Sequence, residues 1–383
     1  MKSLKKIQFY PLAYNIHNAH KVLIDNPLKG YEFLEPIKKI NISKIKKIPF
    51  ILNIHKFFVN FLKINITQKV LNKEKIPKDV DLIYSVSIYE GNLPWVLDIL
   101  DNPYSMTGYN YGLFLKEKDS IEKKLLKDNC KAIICSNETS LSLMNKYFSK
   151  KVLDKTSLIR PAVKIHKLDS KEKNKNIFQI LFMGSITNPE DFLIKGGLET
   201  LECFSRLSKK YSKINIVIKC KTTEEIKKKY SSEKIRFIEE KISDEDLSNL
   251  YQSSNILLMP GHTYFLMAFL EAMSYGLPIV CLDTYAVRDY VENNKSGIII
   301  KKSNKLPYDD PSYPCNVRSK EFISLIKEID ERVILGLCQA IEKLVNNPNL
   351  VEKLGKESIK IVNTKFSIEK RNNNLKKVLD SCF

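Results

Sequence analysis

Short apolar runs recur along this chain, and helix-period stretches rich in polar residues fill the gaps between them. Residues 6–10, 29–33, 79–85, 131–136 and 157–163 read as strands of one half. Residues 178–184, 214–219, 235–239, 256–259, 279–282 and 297–300 read as strands of the other. Several, such as FQILFMG at 178–184, are apolar without alternation, the mark of strands buried on both faces of a parallel sheet. Helical periodicity lies between them. Residues 137–147 form one such stretch with Asn137 placed to cap it, and Ser243 opens another. Residues 265–275 read as a helix carrying one acid, Glu271, in an apolar setting, and Gly276-Leu277-Pro278 ends it. Strand alternating with helix predicts an α/β protein with parallel sheets.

The pattern breaks at 166–176, HKLDSKEKNKN, which reads as a linker. It divides the chain into a first domain, 1–165, a second domain, 177–365, and a last helix, 366–383. Residues 303–317 carry Pro307, Pro311 and Pro314 and read as an inserted surface loop. Two amphipathic helices are expected after it, at 319–346 and 350–364. Residues 49–63, PFILNIHKFFVNFLK, place Phe50, Ile54, Phe57, Phe58 and Phe61 on one helical face. That face suits a core; with Lys56 and Lys63 off the stripe it also suits a membrane interface.

Chemistry gathers where strands end. The loop after the first strand holds Asn15, His17 and His20. Residues 92–101, NLPWVLDILD, form a buried run ending on Asp98 and Asp101. After the strand at 178–184, which ends in Gly184, come Ser185, a loop to residue 194, and then Lys195-Gly196-Gly197 opening a helix. Glycine lets backbone approach a ligand, a helix start offers free N–H donors, and Lys supplies charge, a combination suited to phosphate. After 256–259, Pro260-Gly261 turns the chain into the helix of Glu271. In open α/β sheets ligands bind at this carboxyl edge.

Composition narrows the classes. Of 383 residues, 43% are hydrophobic, as in ordinary globular proteins. There are 63 Lys and Arg against 44 acids, a net charge of +19. The excess fits solvated lysine faces, or attraction to an anionic membrane surface. Basic motifs interleaved with aromatics are lacking, which argues against nucleic acid as a partner. Eight cysteines show no Cys-x-x-Cys spacing and read as buried thiols of a reducing compartment. With no secretory leader pattern and no apolar run near the ~20 residues of a membrane span, a cytoplasmic protein is expected, peripheral on the inner face of the plasma membrane at most.

The stretch PGHTYFLMAFLEAMSYGLPIV, from Pro260 to Val280, resembles the donor-sugar signature of the retaining group 1 (family 4-like) glycosyltransferases. Pro260, Phe265, Glu271-Ala272-Met273, Gly276 and Pro278 match that pattern. Thr263 stands where the family carries its first Glu, and Leu266 where it carries Gly. At the earlier loop Lys195-Gly196 matches, and Ser185 replaces the usual Arg. The resemblance implies a GT-B fold, two Rossmann-like domains facing across a cleft. The donor would be a UDP-sugar or GDP-sugar bound by Gly184, Ser185, Lys195, Gly196, His262, Thr263, Tyr264, Phe265, Leu266 and Glu271, the last on the ribose. Asp98, Lys195 and Glu271 are the expected catalytic groups. Asn15, His17, His20 and Asp101 are expected on the side of a glycan, lipid-linked or protein-linked acceptor. No metal and no further cofactor is implied. A hexose-type transfer with retention is the expected activity. The alternatives are a catalytically impaired nucleotide-sugar-binding member or partner subunit, and a sugar-nucleotide epimerase.

Overall fold

A computed structural model describes residues 4–12, 16–35, 76–166, 176–263, 265–309, 313–314 and 317–383. The helix expected at 49–63 lies outside the described residues, as do Asn15, Tyr264 and most of the linker expected at 166–176. The chain forms two compact units. One comprises Met1–Gly108, Gly112–Pro161 and Arg371–Phe383, the other Tyr109–Tyr111 and Ala162–Lys370.

The first unit is built on a six-stranded sheet of β1 (Lys5–Tyr10), β2 (Tyr31–Leu34), β3 (Leu82–Ser85), β4 (Trp95–Ile99), β5 (Cys130–Cys135) and β6 (Thr156–Leu158). The strand order is β2-β1-β3-β4-β5-β6 and every neighbouring pair is parallel. All five residues of β4 are buried, as continuous apolar patterning requires of a strand covered on both faces. Helix α1 (Asn18–Asp25) follows β1 and α2 (Tyr111–Leu125) follows β4. Helix α3 (Glu138–Tyr147) follows β5, its N-terminus capped by Asn137 Oδ1, which accepts from the Ser140 amide at 2.7 Å. The one-turn helix α4 (Lys150–Leu153) leads into β6.

The second unit repeats the plan with β7 (Phe178–Met183), β8 (Ile214–Lys219), β9 (Ile235–Ile238), β10 (Ile256–Leu258), β11 (Ile279–Leu282) and β12 (Gly297–Ile300). Their order, β12-β11-β10-β7-β8-β9, is again parallel throughout. The order reverses between β7 and β10, so the loops leaving these two strands diverge to opposite faces and open a crevice at the carboxyl edge. Its helices are α5 (Glu190–Ile194), α6 (Gly197–Lys210), α7 (Glu224–Lys229), α8 (Asp244–Ser253), α9 (Leu266–Ser274), α10 (Lys320–Leu325), α11 (Glu331–Val345) and α12 (Pro348–Lys365). A last helix, α13 (Ile368–Asp380), carries Leu375 and Leu379 into the core of the first unit beside Phe9, Phe33 and Val96.

Three expectations need correction. The stretch 185–194 is not all loop, because residues 190–194 wind into α5 ahead of Lys195. The helix expected at 319–346 is two helices; Asp330 accepts from the Arg332 amide at 3.1 Å and restarts the chain as α11. The segment 303–317 is not merely surface. Tyr308–Asp309 and Tyr313–Pro314 pair as a short antiparallel ladder. Leu306, Tyr308 and Val317 pack with Phe322 and Ile326 on Ile194 and Phe265. Among the described residues no helix is long and apolar enough to cross a membrane.

Candidate functional site

The crevice of the second unit collects two loops. One leaves β7 through Gly184 and Ser185, passes along α5, and delivers Lys195, Gly196 and α6. The other leaves β10 through Pro260 and delivers Phe265 and α9. They are locked together by backbone. Gly196 holds a left-handed conformation, φ 78° and ψ 32°, with its Cα pressed on Pro260. The His262 amide donates to the Ile194 carbonyl at 2.9 Å.

Helices α6 and α9 both begin here, and neither has a side-chain cap. The other long helices of this unit are capped: α8 by Ser243, α11 by Asp330 and α12 by Asn347. Two helix starts without side-chain caps at one crevice form a place for an anion. Lys195 stands there half-buried, its Nζ 4.6 Å from the centroid of the Phe265 ring. Burial pushes its ammonium down from the usual lysine value, against the pull of Cys220, Asp191 and Glu271. An ammonium so placed has lost water and lacks a close ion pair, so a diphosphate would restore what burial removed.

Glu271 lies on α9. Its Oε2 accepts from Tyr251 Oη on α8 at 3.0 Å. Burial pushes the carboxyl up, and the Tyr251 bond and the Lys195 charge oppose that. Tyr251 stacks on Tyr275 at 5.0 Å and 11°, and Tyr275 on His166 at 4.1 Å and 17°. This stack fixes the phenol that aims the carboxylate and leaves Oε1 for a ligand. Tyr251, Tyr275 and His166 are absent from the residues the sequence singles out for the donor, because their role depends on helix packing that no local motif encodes.

The remaining donor-side residues divide. Ser185 Oγ shares a hydrogen bond with Thr187 Oγ1 at 2.7 Å and accepts from the Thr187 amide, which fixes the turn after β7. Thr263 is half-buried in the loop. The side chain of Leu266 is 4% exposed, so this residue offers a ligand only backbone. The side chain of His262 is 2% exposed and turned onto Glu199 of α6, with Nε2 3.0 Å from Oε1.

In the first unit Asp98, at the end of β4, is 5% exposed. Its Oδ2 lies 2.8 Å from His20 Nε2 and accepts from Tyr84 Oη at 2.7 Å, while its Oδ1 has no protein partner. These three residues line a cavity of about 30 Å³, shared with Ser136, Arg160 and Arg371. Burial holds the Arg371 guanidinium down at about 10, with Tyr84 and Asp98 acting the other way. His20 is not the loop residue the sequence suggested; it sits in the first turn of α1 and is buried. His17 is the exposed N-cap of that helix, its Nδ1 accepting from the Ala19 amide. Asp101 is half-buried just beyond β4. Asp98 and His20 are thus brought together in one unit, while in the other Lys195 and Glu271 lie near enough for each charge to act on the other.

Two doubly wound units, the second with a crevice at its topological switch point, define an α/β protein of two Rossmann-like units. Residues 165–306 match the family model described as Glycosyl transferases group 1. Solved structures extend the likeness over the chain. A glycosyltransferase from Rickettsia africae is 14% identical with a TM-score of 0.60, covering 100% of this chain and 99% of that one. Anabaena HepE, solved with UDP and glucose, is 12% identical at 0.61, covering 99% and 100%. Sucrose-phosphate synthase from Thermosynechococcus elongatus is 12% identical at 0.59, covering 98% of each. No curated protein matches the chain by sequence. The protein has the GT-B fold, and residues 165–306 of its second unit match the glycosyl transferases group 1 model.

Proposed function

We propose that the protein transfers a hexose-type sugar from a nucleotide-diphosphate donor to a glycan, lipid-linked or protein-linked acceptor, with retention at the anomeric carbon. The observation that supports this reading is the placement of Lys195 and Glu271 on the two loops of the switch point, near enough for each charge to act on the other, beside two uncapped helix starts. The diphosphate takes the amides of α6 and the Lys195 ammonium; the ribose diol takes Glu271 through the oxygen that Tyr251 leaves open. Anabaena HepE, of the same fold, is solved with UDP-glucose, so a UDP-sugar is the first donor to try and a GDP-sugar the second.

The chemistry needed from the protein is charge stabilisation. As the bond between the anomeric carbon and the diphosphate oxygen breaks, negative charge grows on the leaving group. Lys195 and the helix dipoles are already oriented to receive it, without recruiting a metal. Asp98 and His20 are assigned to the acceptor side, where Asp98 Oδ1 is the unclaimed acceptor of the first-unit cavity. The excess of basic residues would hold the protein on an anionic membrane face where a lipid-linked acceptor resides.

Thr263 and Ser185, where the family pattern has an acid and an arginine, favour one second reading, a nucleotide-sugar binder without turnover. Incubation with UDP-glucose or GDP-mannose, with release of the nucleoside diphosphate followed with and without a glycan or lipid acceptor, separates the two. Turnover supports the enzyme; tight binding with no release supports the binder; neither binding nor release rejects both.

A further inference from the structure

The second unit buries an acid and an imidazole that the donor reading leaves without a task. Glu199 is 4% exposed and His262 2%. Removing a carboxylate from water costs several kcal/mol unless something compensates. Two things do. Glu199 sits in the first turn of α6, where the helix dipole favours negative charge. Its Oε1 is 3.0 Å from His262 Nε2, at ion-pair distance although off the axis of an aligned hydrogen bond. His262 Nδ1 and Glu199 Oε2 have no aligned protein partner.

Phe322 and Tyr308 lie over this pair. The Phe322 ring meets the His262 imidazole edge-on at 6.4 Å and 81°. Tyr308 lies near enough for the Glu199 charge, after burial, to push its phenol up. Arg318 donates to Asp191 Oδ1 at 2.7 Å, gripping α5 just before Lys195.

We infer that Glu199 and His262 are positioning residues, holding the loop at 260–263 against the start of α6 so that Thr263 and Lys195 face one ligand, with Tyr308 and Phe322 keeping water off the pair. The inference rests on the donor reading above. It explains why an acid and an imidazole are buried beside one another in a sheet protein that has apolar residues to spare: the pair fixes two loops that leave different strands. The backbone bond from His262 to Ile194 and the Gly196–Pro260 contact set the spacing; the side chains set the loop's rotation about it.

Amide hydrogen exchange on the full-length chain tests this without ligand. Glu199→Gln and His262→Leu should accelerate exchange at 260–263 by about tenfold or more, the loss expected for a charge-assisted contact, while β8 and β9 exchange as before. His262→Gln, whose side-chain amide can donate to Glu199, should retain most of the protection. UDP-glucose titration then reads the consequence: affinity should fall in Glu199→Gln and His262→Leu and hold in His262→Gln. Unchanged exchange at 260–263, or equal acceleration across the whole unit, overturns the inference. Faster local exchange with unchanged UDP-glucose affinity, in a protein whose affinity Lys195→Ala does reduce, also overturns it. If Lys195→Ala leaves affinity unchanged, it is the donor reading that fails, and the exchange result still decides whether the pair holds the loop.

Discussion

Replacing Gly196 by alanine probes the junction on which the second-unit crevice is built. Two costs can be worked separately. At φ 78° an L-residue with a Cβ sits in the left-handed region, a penalty of about 1–2 kcal/mol. The added Cβ would also collide with the Pro260 carbonyl oxygen, at 2.6 Å from its carbonyl carbon and 2.9 Å from its Cγ. Those neighbours are backbone and ring rather than a mobile side-chain tip. The loops must separate, at the ~1–3 kcal/mol typical of overpacking. The sum is roughly 2–5 kcal/mol, and a unit of this size should melt roughly 5–15 °C lower by scanning calorimetry. Gly30→Ala is the reference, because Gly30 has φ 94° with nothing within 4 Å of an added Cβ and incurs the conformational term alone. UDP-glucose affinity, by titration calorimetry, should fall at least about tenfold in Gly196→Ala and remain unchanged in Gly30→Ala, since opening the junction turns the α6 amides away from the α9 amides. If Gly196→Ala costs no more than Gly30→Ala and binds UDP-glucose as well as the parent, the tight junction has no part in ligand binding.

Other consequences follow from single contacts. Tyr251→Phe removes the hydrogen bond to Glu271 while keeping the ring that stacks on Tyr275; donor affinity measured by calorimetry should drop about tenfold, with only about 1–2 kcal/mol lost in stability. Lys195 has its proton affinity lowered in the free protein, so a bound diphosphate should raise it again. Nucleotide binding should then take up protons at alkaline pH and weaken as pH climbs through the free-protein value, a dependence that Lys195→Met abolishes; titrations in buffers of different ionisation enthalpy report it. Asp330 has its carboxyl held down at about 2, first by Arg332 and then by Ser303. A depressed carboxyl contributes stability that is present above its unfolded value of 3.8 and is lost as pH falls toward about 2. Asp330→Ala should therefore destabilise by about 1–2 kcal/mol at neutral pH and by almost nothing at pH 2, read from urea midpoints. Vesicles rich in anionic lipid should retain the protein at low salt and release it at high salt; retention indifferent to both charge and salt removes the membrane assignment.

The sheets were legible in the sequence because parallel strands buried on both faces leave uninterrupted apolar runs. Ile180 to Met183 and Ile279 to Leu282 carry that signature, and each lies where the pattern places it. The loop after β7 and the helix after β10, which carry Lys195 and Glu271, were legible because each has a local grammar of Gly, Pro and periodic apolar residues. The supports of those two residues were not. Tyr251 reaches Glu271 from a neighbouring helix, and Glu199 reaches His262 across the switch point. Such contacts depend on which strands adjoin, and strand order is a property of the whole unit. His20 reads as a loop residue in sequence because a cap at His17 starts α1 earlier than the apolar periodicity does. The segment 303–317 reads as plain surface because prolines signal a break in regular structure and say nothing about what Leu306 and Tyr308 cover.

The central claim is that one ligand is gripped in the second unit by Lys195 and Glu271 together. Its most direct measurement is equilibrium titration of UDP, UDP-glucose and GDP-mannose into the parent protein, Lys195→Ala and Glu271→Ala, each variant first shown to be folded by circular dichroism. The account predicts binding of one nucleotide class to the parent and a loss of about ten- to a hundredfold in each variant, the range for removing one charged contact. A parent-like affinity in both variants would contradict it.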